Sequence, residues 1–203
     1  MENHVNRTIE SLEKNGFPVK LFETKEEALM EMLQNIPMNE SVGMGGSITL
    51  EEIGIYDALL ERKGQVYWHQ KCPLEEKAET LKKAASADIY LSGINALTED
   101  GKIVNIDGTG NRVANIFWGH KKIILVCGIN KITKDHEKAI ERIKNVASPK
   151  NTKRLNKDTP CRYTGKCQDC DSPDRICRIE VVLEKQPLNG KVEVYLIKEE
   201  LGY

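Results

Sequence analysis

Lys121-Lys122-Ile123-Ile124-Leu125-Val126-Cys127 is the stretch that decides the fold. From Ile123 to Cys127 the apolar residues follow one another without a polar break. A strand with one wet face alternates; an unbroken run of this length belongs to a central strand covered on both faces, as in a parallel sheet layered with helices. The flanking sequence agrees. Val5, Ile9 and Leu12, spaced by four and three, form the apolar stripe of a helix that ends near Gly16, and Phe17 to Phe22 reads as a strand. Thr24-Lys25-Glu26-Glu27 is a capping box opening a helix whose apolar face is Ala28, Leu29, Met32, Leu33 and Ile36, stopped by Pro37. Ser41 to Met44 reads as a short strand, Ile48 to Glu52 and Ile55 to Leu60 as two short helices, and Gln65 to Trp68 as a strand. Leu74 to Ala85 reads as a helix, Asp88 to Ser92 as a strand, Lys102 to Ile106 as extended and Arg112 to Trp118 as a helix. Thr133 to Val146 predicts a helix with Ile140, Ile143 and Val146 turned inward.

Strands alternating with helices imply βαβ units around a mostly parallel sheet flanked by helices. The alternation stops after Ser148-Pro149. Residues 149–178 are polar and turn-rich, with no helix or strand period, and read as a Cys-rich insertion on a single α/β domain spanning 1–203. Two alternating strands, Ile179 to Glu184 and Lys191 to Ile197, then close the chain as a short antiparallel pair.

Composition narrows the function. The chain has 203 residues, with 30 Lys+Arg against 31 Asp+Glu, a net charge of −1. That balance lacks the basic footprint of a general nucleic-acid or anionic-membrane binder, so neither partner is expected. No apolar run approaches the ~20 residues of a membrane helix, and the opening Met1-Glu2-Asn3-His4 lacks a secretory pattern. The expected location is the cytoplasm. There, four cysteines crowded between Cys161 and Cys177 point to metal more than to disulfides.

Three stretches carry chemistry. Gly43-Met44-Gly45-Gly46-Ser47-Ile48-Thr49 follows a short strand and opens a helix. The bare backbone of Gly45 and Gly46, with the hydroxyls of Ser47 and Thr49, suits a phosphate or carboxylate, although the spacing is neither a dinucleotide fingerprint nor a P-loop. Asn105 to Arg112 is the second: Asn105, Gly108, Gly110 and Asn111 line a flexible loop, and Arg112 is placed to grip an anion with two donors. If the protein is an enzyme, Glu99 and then Asp107 are the carboxylates for acid–base work. The third is C-x5-C-x2-C-x6-C, formed by Cys161, Cys167, Cys170 and Cys177. Four thiolates suit zinc or an iron–sulfur cluster. Only one C-x2-C knuckle is present, whereas zinc ribbons pair two, and the irregular loop favours a [4Fe–4S] cluster over Zn²⁺. From Ser148 to Arg178 eight Lys/Arg outnumber four Asp, a surplus that compensates thiolate charge. His69 and Cys72 lie close in sequence without forming a dyad by that alone. His4, His120 and His136 are isolated and read as surface residues, and Cys127 as a small core hydrophobe.

The chain resembles the lactate-utilisation (LUD) domain family. The likeness rests on Val42 to Leu50 with Ile53-Gly54-Ile55, on Ala96 to Asn105, on Asp107 to Ala114 and on Lys121 to Lys131. The resemblance implies a fold like that of ribose-phosphate isomerases and CoA transferases, whose βα loops cradle an anion. It also implies a link to oxidation of lactate to pyruvate alongside iron–sulfur redox partner proteins. The four-cysteine tail is similar to that of a subgroup of single-domain members. No catalytic residue comes with the family. The expected function is therefore binding of a small anionic metabolite, with an iron–sulfur cluster in the tail. The alternatives are a non-catalytic accessory protein with structural zinc, or an acyl/CoA-transferase- or isomerase-like enzyme.

Overall fold

The computed structural model describes residues 2–203. Its strands, in chain order, are β1 (Val19–Phe22), β2 (Val42–Met44), β3 (Val66–Trp68), β4 (Ile89–Gly93), β5 (Ala96–Thr98), β6 (Ile103–Asp107), β7 (Lys122–Gly128), β8 (Ile132–Thr133), β9 (Ile179–Leu183) and β10 (Val192–Ile197). Its α-helices are α1 (Glu2–Lys14), α2 (Lys25–Asn35), α3 (Ile48–Ile53), α4 (Ile55–Glu61), α5 (Lys77–Ala85), α6 (Asn111–Ala114), α7 (His136–Arg142), α8 (Ser148–Arg154) and α9 (Pro160–Thr164).

Six strands form one sheet in the order β1-β10-β7-β4-β2-β3, and every neighbouring pair is parallel. The decisive stretch is β7, near the middle. Its Ile123, Leu125 and Cys127 join a core with α1 and the second sheet, while Ile124 and Val126 face a core built with α2, α3 and α4. Both faces are dry, as the unbroken apolar run requires. The second sheet, β8-β5-β6-β9, covers part of the first core and buries Ala96 and Val104 on its other face against Ala139, Ile143 and Ala147. The expected capping box closes α2: the Thr24 hydroxyl accepts from the Glu27 amide at 3.2 Å, and the Glu27 carboxylate accepts from the Glu23 amide at 2.9 Å.

Several expectations are corrected. The closing strands do not pair with each other. β9 runs antiparallel to β6 in the second sheet, and β10 lies parallel between β1 and β7 in the first. The physical reason is burial: in β10 only Glu193 is not buried, so the strand is apolar on both faces like β7, whereas in β9 only Leu183 is buried and Ile179 and Glu180 are exposed. Residues 149–178 are not free of helix, because α8 and α9 lie within them. Pro149 lies in the first turn of α8, which continues without a break from α7 through the turn Ile143–Ala147. The turn before it, Ile143–Ala147, widens to π-helical bonding, a single-turn bulge inside the continuous helix. That widening shifts the register, so Ala147 is buried and Val146 exposed, not inward as expected. The helix expected over Arg112 to Trp118 is the single turn α6, after which the chain bends to Gly119 and leaves Trp118 exposed. His120 is half-buried, not a surface residue: it stacks on Tyr90 and bonds the Ala87 carbonyl at 2.7 Å. No helix among the described residues is long and apolar enough to cross a membrane.

Candidate functional site

The loops leaving the carboxyl ends of β2, β3, β4 and β7 carry Gly46 to Thr49, His69, Gly93 and Lys131, and these residues border one cavity of about 340 Å³. Open parallel sheets bind ligands at this end. The opposite wall is Asp107 at the end of β6 with Gly108, Thr109 and Asn111 of the loop that follows, together with Ser148, Asn151 and Arg154 of α8, and Tyr203. Close approach needs bare backbone at two points. A Cβ on Gly93 would lie 2.5 Å from the Ser47 hydroxyl, and one on Gly202, at φ +63°, would lie 2.6 Å from that of Thr49.

Of the residues singled out in the sequence, Gly46, Ser47, Thr49, Asp107, Gly108, Asn111 and Arg112 line this cavity. Gly45, Asn105 and Gly110 do not line it; they brace its walls. The Gly45 carbonyl accepts from the indole of Trp68 at 3.1 Å. Gly110, at φ +92°, donates its amide to Asp107 at 2.9 Å. The Asn105 carbonyl oxygen accepts from the Asn95 amide at 3.0 Å.

Glu99 is elsewhere. Its carboxylate pairs with Arg7 at 2.9 Å and lies 3.7 Å from His4, both on α1, so it fastens that helix instead of facing the cavity. Asp107 faces the cavity but is fully engaged. One oxygen accepts from the amides of Thr109 and Gly110, and the other pairs with Arg112 Nε at 3.2 Å. A carboxylate held by two amides and a guanidinium organises its loop, and taking a substrate proton would break its pairing with Arg112.

Arg112 does not grip an anion in the expected two-donor manner. It is 8% exposed, and all five of its N–H groups already have acceptors. Nε meets Asp107. Nη1 reaches Asn105 Oδ1 at 2.6 Å and the Gly93 carbonyl at 3.4 Å. Nη2 reaches Asn95 Oδ1 at 3.0 Å and the Ile106 carbonyl at 2.7 Å. The side chain ties the end of β4 to the end of β6 and so holds two walls of the cavity together.

The residue that sequence reasoning missed is Lys131, at the end of the 3₁₀ turn Ile129–Lys131 that follows β7. It is 3% exposed and borders the cavity. Its Nζ donates to Thr49 Oγ1 at 2.7 Å, and no carboxylate among the described residues pairs with it. Burial pushes the ammonium down to about 8, helped by the positive charge of Arg142 and Arg112, while Cys127 and Glu52 pull the other way. His69, also in the wall, is lowered by burial and by the positive charge of Lys77 and Arg154. Cys72 gives its thiol to the His69 carbonyl at 3.6 Å, so the pair is a backbone contact and not a dyad.

Cys161, Cys167, Cys170 and Cys177 border a second, small void of about 20 Å³. All four are free thiols. Cys161 meets the hydroxyls of Thr159 at 3.4 Å and Thr152 at 3.6 Å, Cys167 accepts from the Asp169 amide at 3.4 Å, and Cys177 lies 3.1 Å from Ser148 Oγ. Arg175 straps the loop by donating to the carbonyls of Cys170 and Cys177 and to Asp169. Among the described residues no three or more ligating side chains are grouped as a metal shell. The donor set nevertheless fits a thiolate-bound group: four thiols, hydroxyl and amide partners for the sulfurs, and an adjacent guanidinium. Ser148 and Ile176 border both this void and the larger cavity, so the two share a wall.

A family model described as the LUD domain matches residues 5–197. Among solved structures, the chain is similar to a DUF162 family protein from Deinococcus radiodurans, with 12% identity, a TM-score of 0.57 and 97% of each chain covered. At that identity the likeness speaks for the fold alone. No curated protein matches.

Proposed function

We propose, from the premise that this chain belongs to the LUD domain family, that it binds a small anionic metabolite in the cavity above β2, β4 and β7. The family is linked in general to lactate utilisation, and a short hydroxy or keto acid is the reading that joins this link to the geometry. The observation that carries it is Lys131, a buried ammonium with one hydroxyl partner and no carboxylate paired with it among the described residues, at the edge of a cavity. A buried charge is costly until it is paired, and an anion in the cavity supplies the pair. The proton-transfer groups bordering that anion are Lys131 and His69, in place of Glu99 and Asp107. Arg112 and Asp107 shape the site.

The test is calorimetric titration with lactate, pyruvate and glycerate at low salt. Saturable binding that weakens with added salt is expected; no heat from any of the three acids would contradict the reading. Its pH dependence follows from Lys131. Only the ammonium attracts the anion, so affinity falls about tenfold per pH unit above pH ~8. Stability without ligand moves the opposite way. Between about 8 and 10.5 the folded chain has lost a proton that the unfolded chain still holds, so stability rises with pH in that window. Titrations and thermal melts at pH 7 and 9.5 check both signs.

The same reading assigns a [4Fe–4S] cluster to Cys161, Cys167, Cys170 and Cys177, with Zn²⁺ as the second assignment. A bound cluster supplies one-electron chemistry behind the shared wall of Ser148 and Ile176, and iron–sulfur redox proteins are the partners this implies. The smallness of the void favours a single zinc ion. Against that, residues 165–178 contain neither helix nor strand, so a larger core meets little resistance from regular structure. Protein prepared without oxygen is expected to hold about four irons and four sulfides per chain, and Cys170→Ser to lose them while keeping its helical signal. One zinc per chain selects the second assignment; neither metal removes both.

A further inference from the structure

Six charged side chains line the large cavity: Lys77, Asp107, Arg112, Lys131, Arg154 and Lys157. Two of the cations are already answered. Arg112 pairs with Asp107 at 3.2 Å, and Lys157 with Asp174 at 3.0 Å. Lys77, Lys131 and Arg154 form no ion pair with a carboxylate among the described residues; Lys131 bonds the neutral hydroxyl of Thr49 and Arg154 the neutral amide of Asn151, and Glu52 acts on Lys131 without pairing with it. The cavity therefore carries three uncompensated positive charges.

These charges stand at two levels. Lys131 is buried beside Thr49, whereas Lys77 and Arg154 are exposed. Lys77 comes from α5 and Arg154 from the end of α8, yet both line the same cavity as His69, whose ring feels both positive charges and, in the opposite sense, Asp107. Both exposed cations therefore stand at the solvent-facing side of the cavity, and Lys131 at its buried side.

We infer that the ligand carries two separated anionic groups, a carboxylate paired with Lys131 at the floor and a phosphate monoester paired with Lys77 and Arg154 at the mouth. The class is a phosphorylated short-chain acid. The assignment deepens the anion reading given under Proposed function and rests on it. Charge decides between phosphate and a second carboxylate. A phosphate monoester brings about −1.5 to −2 near neutral pH and three acceptor oxygens, which matches a guanidinium fork and an ammonium acting together. A second carboxylate would leave about one of the three cations unanswered. Size agrees: about 340 Å³ lies in the range of pockets that enclose organic ligands, more than a three-carbon monocarboxylate fills.

The experiment is calorimetric titration at pH 7 and fixed low salt with 3-phosphoglycerate, glycerate and malate. Each acid is titrated into the full chain, into Lys77→Ala/Arg154→Ala and into Lys131→Met. Both mouth residues are exposed, so the double variant is expected to fold. In the unaltered chain 3-phosphoglycerate should bind at least tenfold more tightly than glycerate or malate. The double variant should cost 3-phosphoglycerate far more than glycerate and so erase that advantage, while Lys131→Met weakens all three acids. Equal binding of 3-phosphoglycerate and glycerate, or malate binding as tightly as 3-phosphoglycerate, overturns the phosphate end and leaves the anion reading standing. An unchanged phosphate advantage in the double variant overturns the assignment to Lys77 and Arg154. Absence of binding by all three acids overturns the anion reading and this inference with it.

Discussion

Arg112→Met should lower the free energy of unfolding by roughly 3–5 kcal/mol, the usual cost of removing one partner from a buried ion pair. The side chain bonds both the end of β4, through Gly93 and Asn95, and the end of β6, through Asn105, Ile106 and Asp107, reinforcing the direct bonds that Asn95 makes to Asn105 and Ile106. Methionine fills much of the same volume, so the loss is of hydrogen bonds and charge and not of packing. Three consequences add up. Asp107 keeps its charge in a site where its carboxylate is only 10% exposed. The Ile106 carbonyl loses a donor, and the two asparagine oxygens lose the group that aligns them. Arg112→Lys should recover only part of the loss, because one ammonium cannot reproduce a planar fork of five donors. Urea denaturation measures this directly. A decrease below about 1 kcal/mol would show that Arg112 behaves as an exposed ion pair, free to serve a ligand as its isolated motif suggests.

Lys131→Met should produce effects of opposite sign on the empty and the ligand-bound protein. Without ligand, the variant replaces an uncompensated buried ammonium by an apolar chain of similar length, and its melting temperature should rise at pH 7. With an anionic acid present, the stabilisation that mass action gives the unaltered chain should vanish. The affinity loss is set by the buried charge pair, about 2–5 kcal/mol, or between thirtyfold and several thousandfold. A purely structural lysine gives the reverse of the first effect. A variant that melts lower and binds the acid normally would assign Lys131 to the scaffold.

The architecture was largely legible because it rests on local patterns. The unbroken run of β7, the capping box at Thr24 and the breaks at Gly16 and Pro37 each state a local preference that the packing keeps. β10 was misplaced because Glu193 sits within Val192 to Ile197 and imitates the alternation of a half-exposed strand. In the fold Glu193 is answered by Lys122 of β7 at 3.0 Å, a pairing that no local pattern announces. β5 and β8 are too short to show a period, at three and two residues.

The site was legible in its loops and misread in its charges. Glycines, hydroxyls and the four cysteines advertise themselves by spacing, and the structure gathers them around two adjoining cavities. Whether a charged side chain is spent or available depends on partners far along the chain. Glu99 is taken by Arg7, 92 residues earlier, and Arg112 is consumed by Gly93 and Asn95 as well as by its own loop. Lys131 looks like any solvated lysine in Ile129-Asn130-Lys131-Ile132. Its one sequence signal is position: it lies three residues beyond the carboxyl end of the central strand, where a parallel sheet presents its ligand.

The most direct measurement is a crystal structure of the chain grown with the acid that stabilises it most, at pH 7 and low salt. The expected result is a carboxylate oxygen within about 3.2 Å of Lys131 Nζ, with Arg112 still bonded to Asp107 and the cavity walls unmoved. A ligand held by Arg112 with Lys131 unengaged, or one bound only outside this cavity, would contradict it.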